Sequence, residues 1–358
     1  MTNFRSDNNA GLIPEALAAL VEAAQGEALA YGGDEVTQRA ATRVAALFGA
    51  ESKAAVFFVA TGTAANTLAV AALTEPWQRV LCHRHSHYNE DESTAPERIT
   101  QCRTTPIDPG PDPTRLTPEV LLPHLVGRRG DVHEPAPGVL TLSNPTEFGT
   151  VYTPAELAAL SRVAHEHGYR VHVDGARFSQ AVAHVMRTLD LSEEAACRAL
   201  TVDAGVDALS FGGTKGGLAI GEAVVLFAGR SPAAARAAER LPFLRKSTGH
   251  LLSKHRYVSG QFNRALAHGA WVRHAAAAAT MAERLAAGLR IRGLTPTFPR
   301  ESNAVFVDLP APVDRRLRNR GHSYYPFATP LGPRARLMCS FATTQADIDA
   351  FLADIPPP

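Results

Sequence analysis

Apolar positions recur along the chain with two different periods, and the order in which the periods alternate predicts the architecture. Short apolar runs rich in β-branched and aromatic residues occur at 55–59, 138–142, 169–174, 206–211 and 222–227, and another opens at Arg79. Runs of that length and content are buried strands. Between them the apolar residues return every three or four positions. Pro14 opens a helix with Ile13, Leu17, Leu20 and Ala24 on one face, and Asp34 caps a second that carries Val36, Ala40, Val44 and Leu47 before Gly49 ends it. Thr153 and Glu156 form a capping box around Pro154, so a further helix runs through Leu157, Leu160 and Ala164 to Gly168. Strand and helix in alternation mean a mostly parallel sheet covered by helices, an α/β fold.

Beyond Gly229 the pattern changes. Helical spacing dominates 251–294, and a small α+β unit follows, with strands at 303–309 and 335–341, a charged helix at 314–320 and a last helix capped by Thr344. The segment between Cys102 and Pro137, rich in Pro, Asp and Arg, reads as a surface excursion with one amphipathic helix near 120–125. These changes divide the chain into an N-terminal arm (1–18), a large domain (19–250) and a small C-terminal domain (251–358).

With 358 residues, 45% hydrophobic and 20% charged, the chain can bury a sizeable core. A formal net charge of +1, without a basic stripe, lacks the electrostatic footprint of a nucleic-acid binder. No apolar run reaches the length of a membrane span, and residues 1–8 have no signal-peptide core. Cys82, Cys102, Cys197 and Cys339 form no close pair, which points to a reduced, cytoplasmic setting.

The chemistry centres on SFGGTKGG at 210–217, where Lys215 sits in a Gly-rich turn between two buried strands. Desolvation favours the neutral amine of a lysine, and a neutral amine forms a Schiff base with an aldehyde. The glycines would let a flat ring lie against the backbone. A solvated lysine in a hairpin turn is the alternative. Upstream, Asp174 ends a strand, where open α/β sheets present groups to a ligand crevice. A lysine for the aldehyde and an aspartate for the pyridinium nitrogen are what pyridoxal 5′-phosphate (PLP) requires, although a lone Asp in this place is also a common helix cap.

Other segments supply the rest of such a site. TGTAANT at 61–67 joins a strand to a helix, a start whose free N–H groups bind phosphate, with Gly62 allowing close approach and Thr63 adding a hydroxyl. Capping alone selects the same residues. His83, His85 and His87 would share one face if extended, which raises a zinc site. Against zinc, the acidic run after Asn89 reads as solvated loop and offers no fourth ligand, so no metal is assigned; PLP needs one imidazole. Asn144, Thr146 and Glu147 follow a strand toward the same crevice. Arg336 offers a planar fork to a carboxylate, unless it is one surface arginine among many.

Together these motifs resemble the PLP-dependent low-specificity L-threonine aldolases, fold type I members of the β-eliminating lyase group. The resemblance covers nearly the whole chain: Arg5, Ser6 and Asp7; Tyr31 and Gly32; TGTAAN at 61–66; His87; HVDGAR at 172–177; SFGGTKG at 210–216; and RLMCSF at 336–341. It implies an aspartate-aminotransferase-like fold and a homodimer or dimer of dimers, with the homotetramer expected and active sites shared between subunits. It also implies roles. Lys215 forms the PLP Schiff base, Asp174 holds the pyridinium and His87 stacks on the ring. Gly62 and Thr63 bind the phosphate, helped by Arg256 from a neighbour. Arg177, Arg336, Ser6 and Tyr31 serve the ring hydroxyl side and an amino-acid substrate. The implied reaction cleaves threonine, allo-threonine or a relative such as phenylserine to glycine and an aldehyde. The chain departs from the better known branch at Glu147, where that branch has a histidine, so either His87 or Glu147 is the base. A sister lyase, an aminotransferase, or a non-catalytic PLP- or metal-binding module are the competing readings.

Overall fold

The apolar runs between Ala54 and Phe227 pair into one sheet. The structure, a computed structural model, describes residues 2–127 and 130–357; Met1, Pro358 and, within the excursion expected between Cys102 and Pro137, Arg128 and Arg129 lie outside the described residues. The strands are β1 (Ala54–Val59), β2 (Gln78–His83), β3 (Arg103–Ile107), β4 (Ala136–Ser143), β5 (Arg170–Gly175), β6 (Ala208–Gly212) and β7 (Glu222–Phe227). Their order is β1-β7-β6-β5-β4-β2-β3. Strands β3, β2, β4, β5 and β6 are mutually parallel, and β7 runs against both β6 and β1. The carboxyl ends of β1, β2, β4, β5 and β6 therefore share one edge, and the reversed β7 brings its first residue, Glu222, to that same edge.

The expected α/β fold of aspartate-aminotransferase type is what forms, with local differences that have physical reasons. Strand β3 was not expected. It is an edge strand with Pro106 in it and one fully buried apolar side chain, Ile107, so it has no hydrophobic signature. The helix Pro14–Ala23 buries Ile13, Ala16, Ala19 and Ala23, while Leu17, expected inside, is 56% exposed. It packs on the helix Arg256–Ala265, where alanines permit close approach and the larger side chains turn outward. The helical stretch at 251–294 divides into Arg256–Ala265 and Ala270–Ile291, because His268 and Gly269 adopt left-handed conformations between them (φ 55° and 65°).

The helix Gly62–Leu73 is buried from Ala64 to Leu73, as an apolar helix covered by the sheet on one side and the helix Pro232–Ser247 on the other must be. The C-terminal unit is an antiparallel sheet of β8 (Ala304–Val307), β9 (Tyr325–Phe327) and β10 (Arg334–Met338), in the order β8-β10-β9. Its core includes Leu285, Val305, Leu337 and Phe351 together with Phe4 from the arm. Val258, Phe262, Trp271 and Val272 pack instead into the core of the large sheet, so the two cores adjoin along Ala270–Ile291.

Two glycines ahead of Lys215 serve the chain's own packing rather than the approach of a ring. A Cβ on Gly212 would lie 2.2 Å from the Ala176 carbonyl oxygen, and one on Gly213 would lie 2.4 Å from that of Gly221. Backbone cannot swing aside as a flexible side chain does. Gly212→Ala is therefore expected to destabilise the fold by about 1–3 kcal/mol, the range for overpacking, read as a lower urea midpoint at unchanged slope.

Candidate active site

The shared sheet edge borders a cavity of about 560 Å³. Ser6, Gly62, Thr63, His87, Glu147, Asp174, Arg177, Lys215 and Arg336 all line it, brought from separate stretches of the chain. Thr61 caps the helix Gly62–Leu73 by accepting from the Ala64 N–H at 3.2 Å. The N–H groups of the first helical residues have no partner within the helix and remain available to an anion. A Cβ on Gly62 would meet no atom within 4 Å, so the space over this helix start is open.

Lys215 lies in the 3-10 turn Thr214–Gly216. Burial lowers its pKa, the nearby Arg177 charge acts in the same direction, and Asp7, Asp174 and Glu222 oppose. Beneath the turn, Glu222 accepts from the Gly213 N–H at 2.6 Å, and burial pushes its carboxyl up to about 7. Arg177 forks onto Asp7, Nε to Oδ2 at 2.6 Å and Nη2 to Oδ1 at 2.9 Å. Asn303 Nδ2 also donates to Asp7 at 3.2 Å, so the arm is tied to both sheets at the rim of the cavity.

Asp174 is buried among groups that favour its anion. Burial alone would raise its pKa, but the charges of His87 and Lys215 and a hydrogen bond from the Ala176 N–H at 2.9 Å hold it below its ordinary value. Asn66 Nδ2 donates to Asp174 Oδ2 at 2.8 Å and to Glu92 Oε1 at 2.7 Å. The same Glu92 oxygen lies 3.0 Å from His87 Nδ1. Glu147 Oε1 accepts from the His87 backbone N–H at 2.8 Å and from the Ser143 hydroxyl at 2.6 Å, and burial raises its pKa.

Several expectations are corrected here. The acidic run after Asn89 is not uniformly solvated: Glu90 and Asp91 are exposed, but Glu92 is buried. Strand β2 ends at His83, so the three histidines do not share an extended face. His83 Nδ1 accepts from the His85 N–H at 3.0 Å and His85 Nδ1 pairs with Glu90 at 3.0 Å; of the three, only His87 lines the cavity. Asn144 turns away from the cavity to bond the Tyr152 backbone. Tyr31 and Arg256 do not line their own chain's cavity. Tyr31 is exposed beneath the Lys246 ammonium, and Arg256 donates to the Gly26 carbonyl. Asp7, Asn66, Glu92 and Glu222 were given no role from the sequence. The motifs containing Asp7 and Asn66 marked their neighbourhoods, whereas nothing local marks Glu92 or Glu222.

A family model described as beta-eliminating lyase matches residues 3–312. The chain belongs to the beta-eliminating lyase family. This lyase is 39% identical over 356 residues, 98% of the chain and 96% of the relative, to the low specificity L-threonine aldolase of Pseudomonas sp. (strain NCIMB 10558). It is 39% identical over 353 residues, with the same coverage of both chains, to a protein of the same name from Pseudomonas aeruginosa. A solved structure of Leishmania major threonine aldolase superposes with a TM-score of 0.86 at 27% identity, over 99% of this chain and 98% of that one.

The donor set of the lyase fits PLP. The open helix start at Gly62 suits a phosphate, the ionised Asp174 suits a protonated ring nitrogen, and the amine of Lys215, with its lowered pKa, suits an aldehyde. Removal of Asp7 would leave Arg177 without its anion. Asp7→Ala is expected to cost about 3–5 kcal/mol, measured by urea unfolding. The folded pKa of Asp7 is lowered from 3.8, burial being outweighed by Arg177. Its stabilisation is therefore present above 3.8 and lost as pH falls through the folded value, so the stabilities of wild type and variant should converge in acid.

Proposed function

We propose that this lyase is a PLP-dependent aldolase that cleaves L-threonine, L-allo-threonine or related β-hydroxy-α-amino acids such as phenylserine to glycine and an aldehyde. The observation that carries this reading is the meeting of Lys215, Asp174 and the Gly62 helix start in one cavity. The full-length likeness to proteins named threonine aldolase supports the choice of reaction.

When bound, PLP supplies an aldehyde for the Schiff base with Lys215 and an electron sink for the carbon–carbon bond that breaks. Lys215 contributes an amine that burial and Arg177 make easier to deprotonate. Asp174 keeps a proton on the ring nitrogen, and Gly62 and Thr63 hold the phosphate through backbone N–H groups and a hydroxyl. His87, which lines the cavity, would stack on the ring. Arg177 serves the ring hydroxyl side. Arg336, stacked on Phe327 at 4.9 Å, clamps the substrate carboxylate with Ser6; burial lowers its pKa to about 10, which leaves it charged at neutral pH.

His87 takes the β-hydroxyl proton in this reading, and Glu147 supports it, because Glu147 Oε1 already accepts from the His87 N–H and the Ser143 hydroxyl. Tyr31 and Arg256 reach the cavity of a neighbouring copy, in a homotetramer built as a dimer of dimers. The exposed Leu17, Val21 and Leu29 near Tyr31 in the chain supply apolar surface for that contact. Four free, buried cysteines support a cytoplasmic location, and among the described residues no helix is long and apolar enough to cross a membrane.

Two measurements test the reading. Incubation with threonine, allo-threonine and phenylserine is expected to yield glycine and the matching aldehyde in equal amounts; pyruvate with ammonia, or a keto acid, would assign β-elimination or transamination instead. Lys215→Ala is expected to lack the yellow, borohydride-sensitive chromophore of the wild type, and full retention of that chromophore would remove Lys215 from its role.

A further inference from the structure

Glu92 lies behind the cavity wall rather than in it. Its side chain is 0% exposed, and burying a carboxylate costs several kcal/mol unless partners compensate. Both of its polar neighbours, Asn66 Nδ2 at 2.7 Å and His87 Nδ1 at 3.0 Å, converge on Oε1, and Oε2 has no partner among the described residues. Packing alone would be served better by an apolar side chain. What Glu92 adds is directional: an acceptor aimed at one nitrogen of an imidazole whose other nitrogen is left for the cavity.

We propose that Glu92 is a positioning residue for His87, accepting the Nδ1 hydrogen, fixing the ring in that tautomer and leaving Nε2 as the nitrogen that exchanges a proton with substrate. A carboxylate bonded to one imidazole nitrogen determines which nitrogen carries the hydrogen. Asn66 makes the arrangement compatible with Asp174. Its two amide hydrogens bridge the carboxylates of Glu92 and Asp174, so the two groups share one donor and do not face each other directly. The last clause of the proposal rests on His87 being the base; the positioning itself does not.

Several charges face His87. The hydrogen bond to Glu92 is the largest influence, raising its pKa; burial opposes, Asp174 raises it and Lys215 lowers it. Glu147 holds its backbone N–H, and Asp91, Arg177 and Arg336 line the same cavity. Because the value is raised, the unprotonated ring is lost as pH falls through it.

The test is histidine 15N NMR on the PLP-bound enzyme, with His87 assigned by the loss of its signals in His87→Gln. In wild type the neutral ring is expected to carry its hydrogen on Nδ1 and to titrate above 6.5. In Glu92→Gln the midpoint is expected to fall by about one unit, a tenfold change, with the acid limb of kcat/KM moving the same way and Glu92→Asp restoring part of the shift. A hydrogen on Nε2 in wild type, or an unmoved midpoint in Glu92→Gln, overturns the proposal. The tautomer is read on wild type and needs no Glu92 variant, so it decides the matter even if Glu92→Gln does not fold. If tautomer and shift appear but the products are not glycine and an aldehyde, the assigned reaction fails and the role of Glu92 stands; correct products without the shift mean the reverse.

Discussion

Keeping the buried Asp174 ionised is the constraint on which the rest of the site depends. A carboxylate withdrawn from water is strongly disfavoured unless hydrogen-bond donors and cations replace the solvent. The fold supplies them from four directions: the Ala176 N–H in the turn after β5, Asn66 from the helix Gly62–Leu73, His87 from the start of the short helix His87–Glu90 after β2 and Lys215 from the turn after β6. Each stands at the carboxyl end of a parallel strand or just beyond it. Sheet order and the charge state of one side chain are thus a single problem.

Glu222 shows the same edge from the opposite direction. Because β7 runs antiparallel, its first residue rather than its last reaches the cavity, where Glu222 pairs in register with Gly212 and holds the backbone of the turn that carries Lys215. The tight glycines of that turn complete the picture. They exist to let β6, the Asp174 turn and the start of β7 approach one another, and a rigidly held turn gives a lysine one position instead of many.

The N-terminal segment joins the two sheets by two kinds of contact. Phe4 is part of the apolar core of the small sheet, while three positions later Asp7 forks with Arg177 at the large sheet and accepts from Asn303 beside β8. The arm beside the cavity is therefore held by charge at Asp7 and by apolar packing at Phe4. Arg336, on the small sheet, faces across the cavity toward residues carried by the large one.

Local sequence determined most of the architecture. The alternation of periods located six of the seven strands in the large sheet, the capping box at Thr153 is formed as written, and the Gly-rich turns marked where Gly62, Asp174 and Lys215 come together. These features are readable because period, cap and turn are properties of a few neighbouring residues. Edge strands β3 and β9 escaped because little of them is buried. The fates of individual charges escaped for a different reason. Glu90, Asp91 and Glu92 are equivalent as a run of acids, and only the arrival of Asn66 and His87 makes one of them a buried partner. Asp7 finds Arg177 170 positions away. The free energy of a buried charge is set by what folding brings beside it, so the chain alone named the elements, and the tertiary structure decided which of its charges act together.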